Sequence, residues 1–249
     1  MAIIELNGVY KTYKGDFWKK SKPALENLSF KIEEGSVTGF IGPNGAGKTT
    51  TIKTILGLIS PDRGESFIKG VSSKKPTART GIGFVSEQPY FYRHLSVYES
   101  LRFSAKLKSI STTALSKMIK TSLEKVELED VLNKKIFNLS KGMQQRVNMA
   151  QALLGNPDIY IFDEPMSGLD PLGRLLFRNI ISDLGKQGKT LFFSTHILDD
   201  IENICSNIIV LSKGKKEFRR LNLLEDKRCC LNLLSKFSER VNQISKNVL

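Results

Sequence analysis

The stretch Gly42-Pro43-Asn44-Gly45-Ala46-Gly47-Lys48-Thr49-Thr50 has the residue types and the spacing to hold a row of phosphates. It fits G-x-x-x-x-G-K-[ST], the phosphate-binding loop. Its glycines open backbone conformations closed to other residues, so successive N–H groups can turn inward toward phosphate oxygens. Lys48 carries a fixed positive charge to the outer phosphates, and the Thr49 hydroxyl is the kind of hard oxygen ligand that Mg²⁺ prefers. The loop reads as a site for a nucleoside triphosphate with Mg²⁺. It does not say how the energy is used.

A second group of residues can act on what the loop binds. Asp163 and Glu164 follow four apolar residues, Ile159 to Phe162, which read as a central strand of a parallel sheet. Ligands of α/β sheets bind at the C-terminal ends of strands. Asp163 therefore suits a cation site beside the loop, and Glu164 suits a general base that polarises an attacking water. Two solvated acids would not need a buried strand to deliver them into a basic protein. His196 ends another apolar run, Thr190 to Thr195, and leaves it at the same edge, within reach of a γ-phosphate.

The elements that must position these residues follow from the pattern. Val37 to Ile41 reads as a short buried strand ahead of the loop, and Thr50 to Leu58 as a helix after it, with Ile52, Ile55, Leu56 and Ile59 on one stripe. A helix starting there aims its positive dipole end at the phosphates. Ile3 to Val9 and Leu28 to Ile32 alternate like strands. Between them lies a basic, aromatic segment, Tyr13 to Lys20, whose aromatics can stack on a base or cover a sheet edge. Tyr13 is the preferred stacking residue, with Phe17 and Trp18 as substitutes. Strand-like pieces recur from Gly64 to Val85, and Pro89 ends regular pairing after Ser86-Glu87-Gln88. From Ser96 to about Leu154 the pattern is helical, interrupted at Asn138 to Met143. Met143, Val147, Ala150 and Leu154 form one stripe beyond that break. Ile208 to Leu211 is the last strand. In the tail from Leu221, the residues Leu234, Phe237, Val241, Ile244 and Val248 recur at helical spacing; they would pack on their own domain, a second copy or a partner.

Composition narrows the class. The chain has 249 residues, 40% hydrophobic and 25% charged, which is ordinary for a soluble globular protein. No run of about 18 apolar residues occurs, and Met1 to Leu6 lacks the pattern of a signal peptide, so a cytoplasmic location is expected. Lys and Arg outnumber Asp and Glu by 38 to 25, giving +13. That excess fits a solvated basic surface or an anionic membrane face. No aromatic-interleaved basic stretch or zinc pattern supports nucleic acid, and none is expected as a partner. Cys205, Cys229 and Cys230 form neither a disulfide framework nor a metal spacing. Guanine selectivity would need Asn-Lys-x-Asp; Asn133-Lys134-Lys135-Ile136 lacks the acid.

Asn138 to Gln145, taken with Asp163-Glu164, Ser167-Gly168-Leu169-Asp170 and His196, resembles the ATP-binding subunit of an ABC transporter. The resemblance runs from residue 3 to about residue 217, with its motifs in order. The form Leu139-Ser140-Lys141-Gly142-Met143-Gln144-Gln145 is most similar to the subfamily serving ABC-2 type exporters. The fold this implies is an α/β P-loop NTPase: a RecA-like parallel sheet core, an N-terminal antiparallel β subdomain and an α-helical signature subdomain over about residues 95 to 155. The implied domain covers residues 1 to 217, followed by a tail over 218 to 249.

The resemblance also implies roles. Residues 42 to 50 match the Walker A loop, Asp163 the Walker B aspartate, Glu164 the catalytic glutamate and His196 the switch histidine. Ser140 and Gly142 match the signature loop, which in the family meets the γ-phosphate held by the other subunit, and Asp170 matches the D-loop. Tyr13 matches the adenine-stacking aromatic. Spacing puts Glu87 where the family has its Q-loop glutamine, with Gln88 beside it; either side chain could approach Mg²⁺. Lys141 replaces a glycine and Met143 a glutamine of the usual signature. ATP and Mg²⁺ are the implied ligands. The implied partners are a second copy or a homologous ATP-binding subunit, and an integral membrane permease that exports, with the chain on the inner membrane face. A soluble ABC-type ATPase of translation or nucleic-acid maintenance is the competing reading; such proteins usually carry two cassettes or a long coiled-coil insertion.

Overall fold

A computed structural model describes residues 1–13, 23–110, 114–201 and 204–221. Phe17, Trp18, Cys229, Cys230 and the helical stripe of the tail lie outside the described residues.

The strands form two sheets. The strands β1 (Ala2–Thr12), β2 (Pro23–Glu33), β4 (Arg63–Ile68) and β5 (Val71–Ser72) form an antiparallel sheet in the order β2-β1-β4-β5. The second sheet has six strands. They are β3 (Val37–Ile41), β6 (Ile82–Val85), β7 (Ile159–Phe162), β8 (Thr190–Thr195), β9 (Asn207–Ser212) and β10 (Lys215–Leu221), in the order β10-β9-β3-β8-β7-β6. All its pairings are parallel except that of β10 with β9. Strands β3, β7 and β8 are buried at every residue, as expected of parallel strands covered on both faces.

The period of two sorts those strands onto two cores. Ile159, Ile161 and Phe192 face the antiparallel sheet, together with Ile4, Leu28 and Phe40. Tyr160, Phe162 and Phe193 face the other way, among Leu101, Ile119, Val147 and Phe177. Phe30 of β2, Phe40 of β3 and Phe192 of β8 stack as a tilted trio, with centroids 5.1–5.8 Å apart, and tie the sheets together.

Helix α1 (Lys48–Ile55) follows β3. It starts two residues earlier and ends three residues sooner than expected, because Gly57 at φ 61° turns the chain and sends the Leu58 N–H back to the Lys53 carbonyl. Ile52, Ile55 and Leu56 are buried, whereas Ile59 lies beyond the helix.

The single helical run expected from Ser96 to the break at Asn138 is instead two helices, α2 (Val97–Leu107) and α3 (Leu115–Glu124). Short 3₁₀ turns follow at Glu129–Val131 and Ile136–Asn138. The sequence after α2, Ser109 to Thr113, is a Ser, Thr and Ile run whose side chains compete with or crowd a helix. Ser109 and Glu127 take positive φ where each helix stops. Helix α4 (Lys141–Leu153) follows Ser140, and α5 (Pro171–Lys186) joins β7 to β8. Strand β10 runs to Leu221, so the sheet extends past residue 217, where the tail was expected to begin.

Candidate active site

The parallel register brings four strand ends to one edge. Ile41 lies opposite Thr195, Phe162 opposite Phe193, and Val85 opposite Phe162. Each strand then releases a chemically active segment: the loop 42–47 after β3, Ser86-Glu87 after β6, Asp163-Glu164 after β7 and His196 after β8.

The loop is shaped for an anion. Gly47 caps α1 at φ 108°, and a Cβ there would lie 2.6 Å from the Ala24 carbonyl oxygen, so only glycine fits. No side chain caps the first turn of α1 and no acid lies in it, which leaves its N–H groups and positive dipole end free for phosphate. Asn44, Gly45, Gly47, Lys48, Thr49 and Thr50 line an open cleft of ≈ 400 Å³ with Glu87, Glu164 and His196. Gly42, Pro43 and Ala46 lie behind that surface. The Gly42 and Pro43 carbonyls accept from Lys48 Nζ at 2.7 and 3.3 Å, and the Ala46 N–H closes a turn onto the Pro43 carbonyl.

A continuous polar chain crosses the cleft. Lys48, 6% exposed, stands 3.1 Å from Glu164 Oε1. That oxygen is buried with no hydrogen bond, so the ammonium charge is what offsets its burial. Glu164 Oε2 lies 2.9 Å from His196 Nδ1. A carboxylate only accepts, so the Nδ1 of His196 carries the proton there. Glu164 itself sits at φ 46°, a turn that swings its carboxylate off the strand direction.

Asp163 is 3% exposed. Burial pushes its carboxyl above the ordinary aspartate value, and Glu164 adds to this; hydrogen bonds from Ser194 and Thr49 and the charge of Lys48 pull it back. Asp163, Thr49 and Glu87 form a set of hard oxygen donors. Among the described residues no group of three or more His, Cys, Asp or Glu could cage a metal by itself. That donor set suits Mg²⁺, which keeps its waters and binds through one or two carboxylates plus substrate phosphates.

With that geometry in hand, comparison with known proteins is direct. The family model described as ABC transporter matches residues 25–167. The chain belongs to that family. It is 40% identical over 217 residues to an uncharacterized ABC transporter ATP-binding protein of Nostoc sp., covering 86% of this chain and 65% of that protein. It thus spans less than two thirds of that relative. It is 36% identical over 233 residues to the Nod factor export ATP-binding protein I of Rhizobium meliloti, covering 92% and 68%. A dimeric, post-hydrolysis structure of an ATP-binding cassette bound to ADP and Pi superposes with TM-score 0.80 at 30% identity, covering 88% and 98%. Among the described residues no helix is long and apolar enough to cross a membrane.

Three other residues expected to matter in an ABC cassette lie away from the cleft. Ser140 is exposed and caps α4, its Oγ accepting from the Met143 N–H at 3.2 Å, and Gly142 follows in the first turn. Asp170 caps α5 by accepting from the Gly173 N–H at 3.1 Å. None of the three lines the cleft that holds Lys48. Tyr13, about half exposed, places its hydroxyl 3.5 Å from Thr50 Oγ1 at the cleft edge, with Lys11 Nζ 6.0 Å from its ring centre. Glu87 lines the cleft, whereas Gln88 does not; the Gln88 carbonyl accepts from Ser86 Oγ.

Three polar residues were not singled out from the sequence. Ser194 is fully buried, donates from Oγ to Asp163 Oδ1 at 2.8 Å and accepts from the Glu164 N–H at 2.9 Å, so one hydroxyl positions both acids. Its signal was a lone serine at the end of the apolar run Leu191-Phe192-Phe193. Arg174 of α5 pairs with buried Asp200 at 2.7 Å, and Asp200 also accepts from Thr195 Oγ1 at 3.1 Å, which braces the turn after His196. No local pattern announced that pair.

Proposed function

We propose that this chain binds Mg-ATP in the cleft, hydrolyses it, and pairs head to tail with a second copy or a homologous ATP-binding subunit around two nucleotides. The pair would sit on the cytoplasmic face of a membrane and drive a separate export permease.

The observation that carries the reading is the split between the two halves of a phosphate site. Lys48, Glu164 and His196 form one polar chain in the cleft, while Ser140 and Gly142 stand at the exposed N-terminus of α4 elsewhere on the surface. An exposed helix start with no acid in its first turn is an anion seat without its own anion. A second copy facing head to tail supplies one. The cassette with ADP and Pi was crystallised as a dimer, and the Rhizobium meliloti relative is named for export; both support the pairing and the direction.

In this mechanism Lys48 leaves Glu164 and takes the outer phosphates. Glu164, released and turned into the cleft by its backbone, accepts the proton of the attacking water, a role worth about 10²–10⁴-fold in rate. His196 holds the Glu164 carboxylate through Nδ1 and faces the γ-phosphate side. Asp163, Thr49 and Glu87 would hold Mg²⁺, which when bound neutralises charge on the phosphate oxygens. Hydrolysis then puts like charges in the seam and loosens it.

The test is Glu164→Gln. With ATP and Mg²⁺ the variant accumulates as a dimer by light scattering, because the nucleotide is bound and not consumed. A variant that binds ATP yet stays monomeric at every protein concentration refutes the shared site.

A further inference from the structure

Helix α4 begins at the exposed Ser140 turn and, one to two turns on, meets the backbone next to Glu87 and Glu164. Two buried amides lie at that meeting point. Gln145 is 3% exposed and Asn148 5%. Gln145 Nε2 donates to the Pro165 carbonyl at 3.0 Å and to the Ser86 carbonyl at 3.3 Å. Asn148 Nδ2 donates to the same Ser86 carbonyl at 3.0 Å and lies 3.4 Å from Gln145 Oε1. Pro165 directly follows Glu164, and Ser86 directly precedes Glu87. One side chain of α4 thus grips the backbone beside both cleft carboxylates.

The neighbouring Gln144 does the complementary job. Its Nε2 donates to the Leu139 carbonyl at 3.0 Å, which fixes the turn that presents Ser140. Two adjacent glutamines therefore join the start of α4 to the ends of β6 and β7 by direct hydrogen bonds. Both N–H bonds of the Gln145 amide are used, and its oxygen accepts from Asn148 Nδ2. Buried, hydrogen-bonded amides of this kind hold their partners in one arrangement.

We propose that Gln145 is a positioning residue that couples the two nucleotide sites of the pair. This rests on the composite-site reading above. Engagement of the Ser140 turn by the partner's nucleotide shifts α4, and Gln145 passes the shift to the Glu164 and Glu87 segments of its own cleft. Each chain then hydrolyses well only when its own α4 is docked. Coupling of this kind is carried by packed hydrogen-bonded elements and is typically worth about 5–150-fold.

The experiment compares the full chain with Gln145→Leu, which keeps the bulk and removes both donors, and with Asn148→Asp, which removes the donor to the Ser86 carbonyl and to Gln145 Oε1 and leaves both Gln145 donors in place. Three quantities are read: Kd of the protein for a fluorescent ATP analogue without Mg²⁺, kcat with Mg-ATP, and the Hill coefficient in ATP. The expected result is an unchanged Kd, kcat lowered about tenfold or more, and a Hill coefficient that falls toward one in Gln145→Leu. Asn148→Asp shows a smaller loss of the same kind, and it carries the test should Gln145→Leu not fold. If the variants melt at lower temperature but keep kcat and Hill coefficient when assayed folded, the amides only support the fold and the inference is overturned. A wild-type chain that hydrolyses without cooperativity overturns the composite site itself, and this coupling with it.

Discussion

Removing a single buried hydroxyl should damage both acids of the cleft at once. In Ser194→Ala, Asp163 Oδ1 loses a donor at 2.8 Å and the Glu164 N–H loses its acceptor at 2.9 Å. A hydrogen bond to a charged group contributes about 1.5–3 kcal/mol, and an orphaned buried N–H costs about 1–3 kcal/mol. The Thr49 hydroxyl still serves Asp163, so the lower part of the summed range applies: a loss of about 3 kcal/mol. For a chain of this size each kcal/mol moves Tm by about 2–4 °C, so calorimetry should show a fall of roughly 6–12 °C.

The loss should also depend on pH. Burial already holds the Asp163 carboxyl above the ordinary aspartate value, and the Ser194 bond opposes that shift. The folded state therefore keeps this proton more tightly than the unfolded chain, and ionising it costs stability as pH rises from the unfolded pKa to the folded one. Without the hydroxyl the folded value climbs further and that interval widens. The deficit of Ser194→Ala should be full at neutral pH and smaller below the ordinary aspartate pKa, where Asp163 is protonated in both proteins. A Tm within about 2 °C of wild type at neutral pH, with normal Mg-ATP turnover, would refute the claim that one hydroxyl positions both acids.

Two further outcomes test the scaffold and the cation site. Phe192→Ala removes the ring that meets both Phe30 and Phe40 and should cost about 3–5 kcal/mol, read by calorimetry as a lowered Tm. Glu87→Ala should weaken Mn²⁺ binding to the nucleotide complex, read by electron paramagnetic resonance, while Gln88→Ala leaves it unchanged, because only Glu87 lines the cleft.

The strands and the phosphate loop were legible because each rests on a short-range rule. Four or five buried residues in a row announce β3 and β7, and Gly47-Lys48-Thr49 announces the loop with its helix. The break after α2 was missed because alternation of apolar residues continues across Ser109 and Ile110, while the positive φ at Ser109 is set by packing rather than pattern. The extension of β10 to Leu221 was missed because an edge strand rich in Lys and Arg, Lys215 to Arg220, has no apolar run to mark it.

The polar residues divide in the same way. In the proposed function Lys48, Asp163, Glu164 and His196 act on a ligand, and their types and their places at strand ends mark them for it. Ser194, Gln145, Asn148 and the Arg174–Asp200 pair act on other residues 20 to 62 positions away in sequence. Nothing local distinguishes Gln145 from a solvated glutamine on a helix face. What distinguishes it is that two carbonyls from different strands converge on one buried amide, and an unsatisfied carbonyl there would cost about 1–3 kcal/mol. Such residues are invisible until the topology is known, because the strand order β8-β7-β6 is what brings Ser86, Pro165 and α4 together. The groups proposed for catalysis can be named from the chain, but the groups that hold them to each other follow only from the fold.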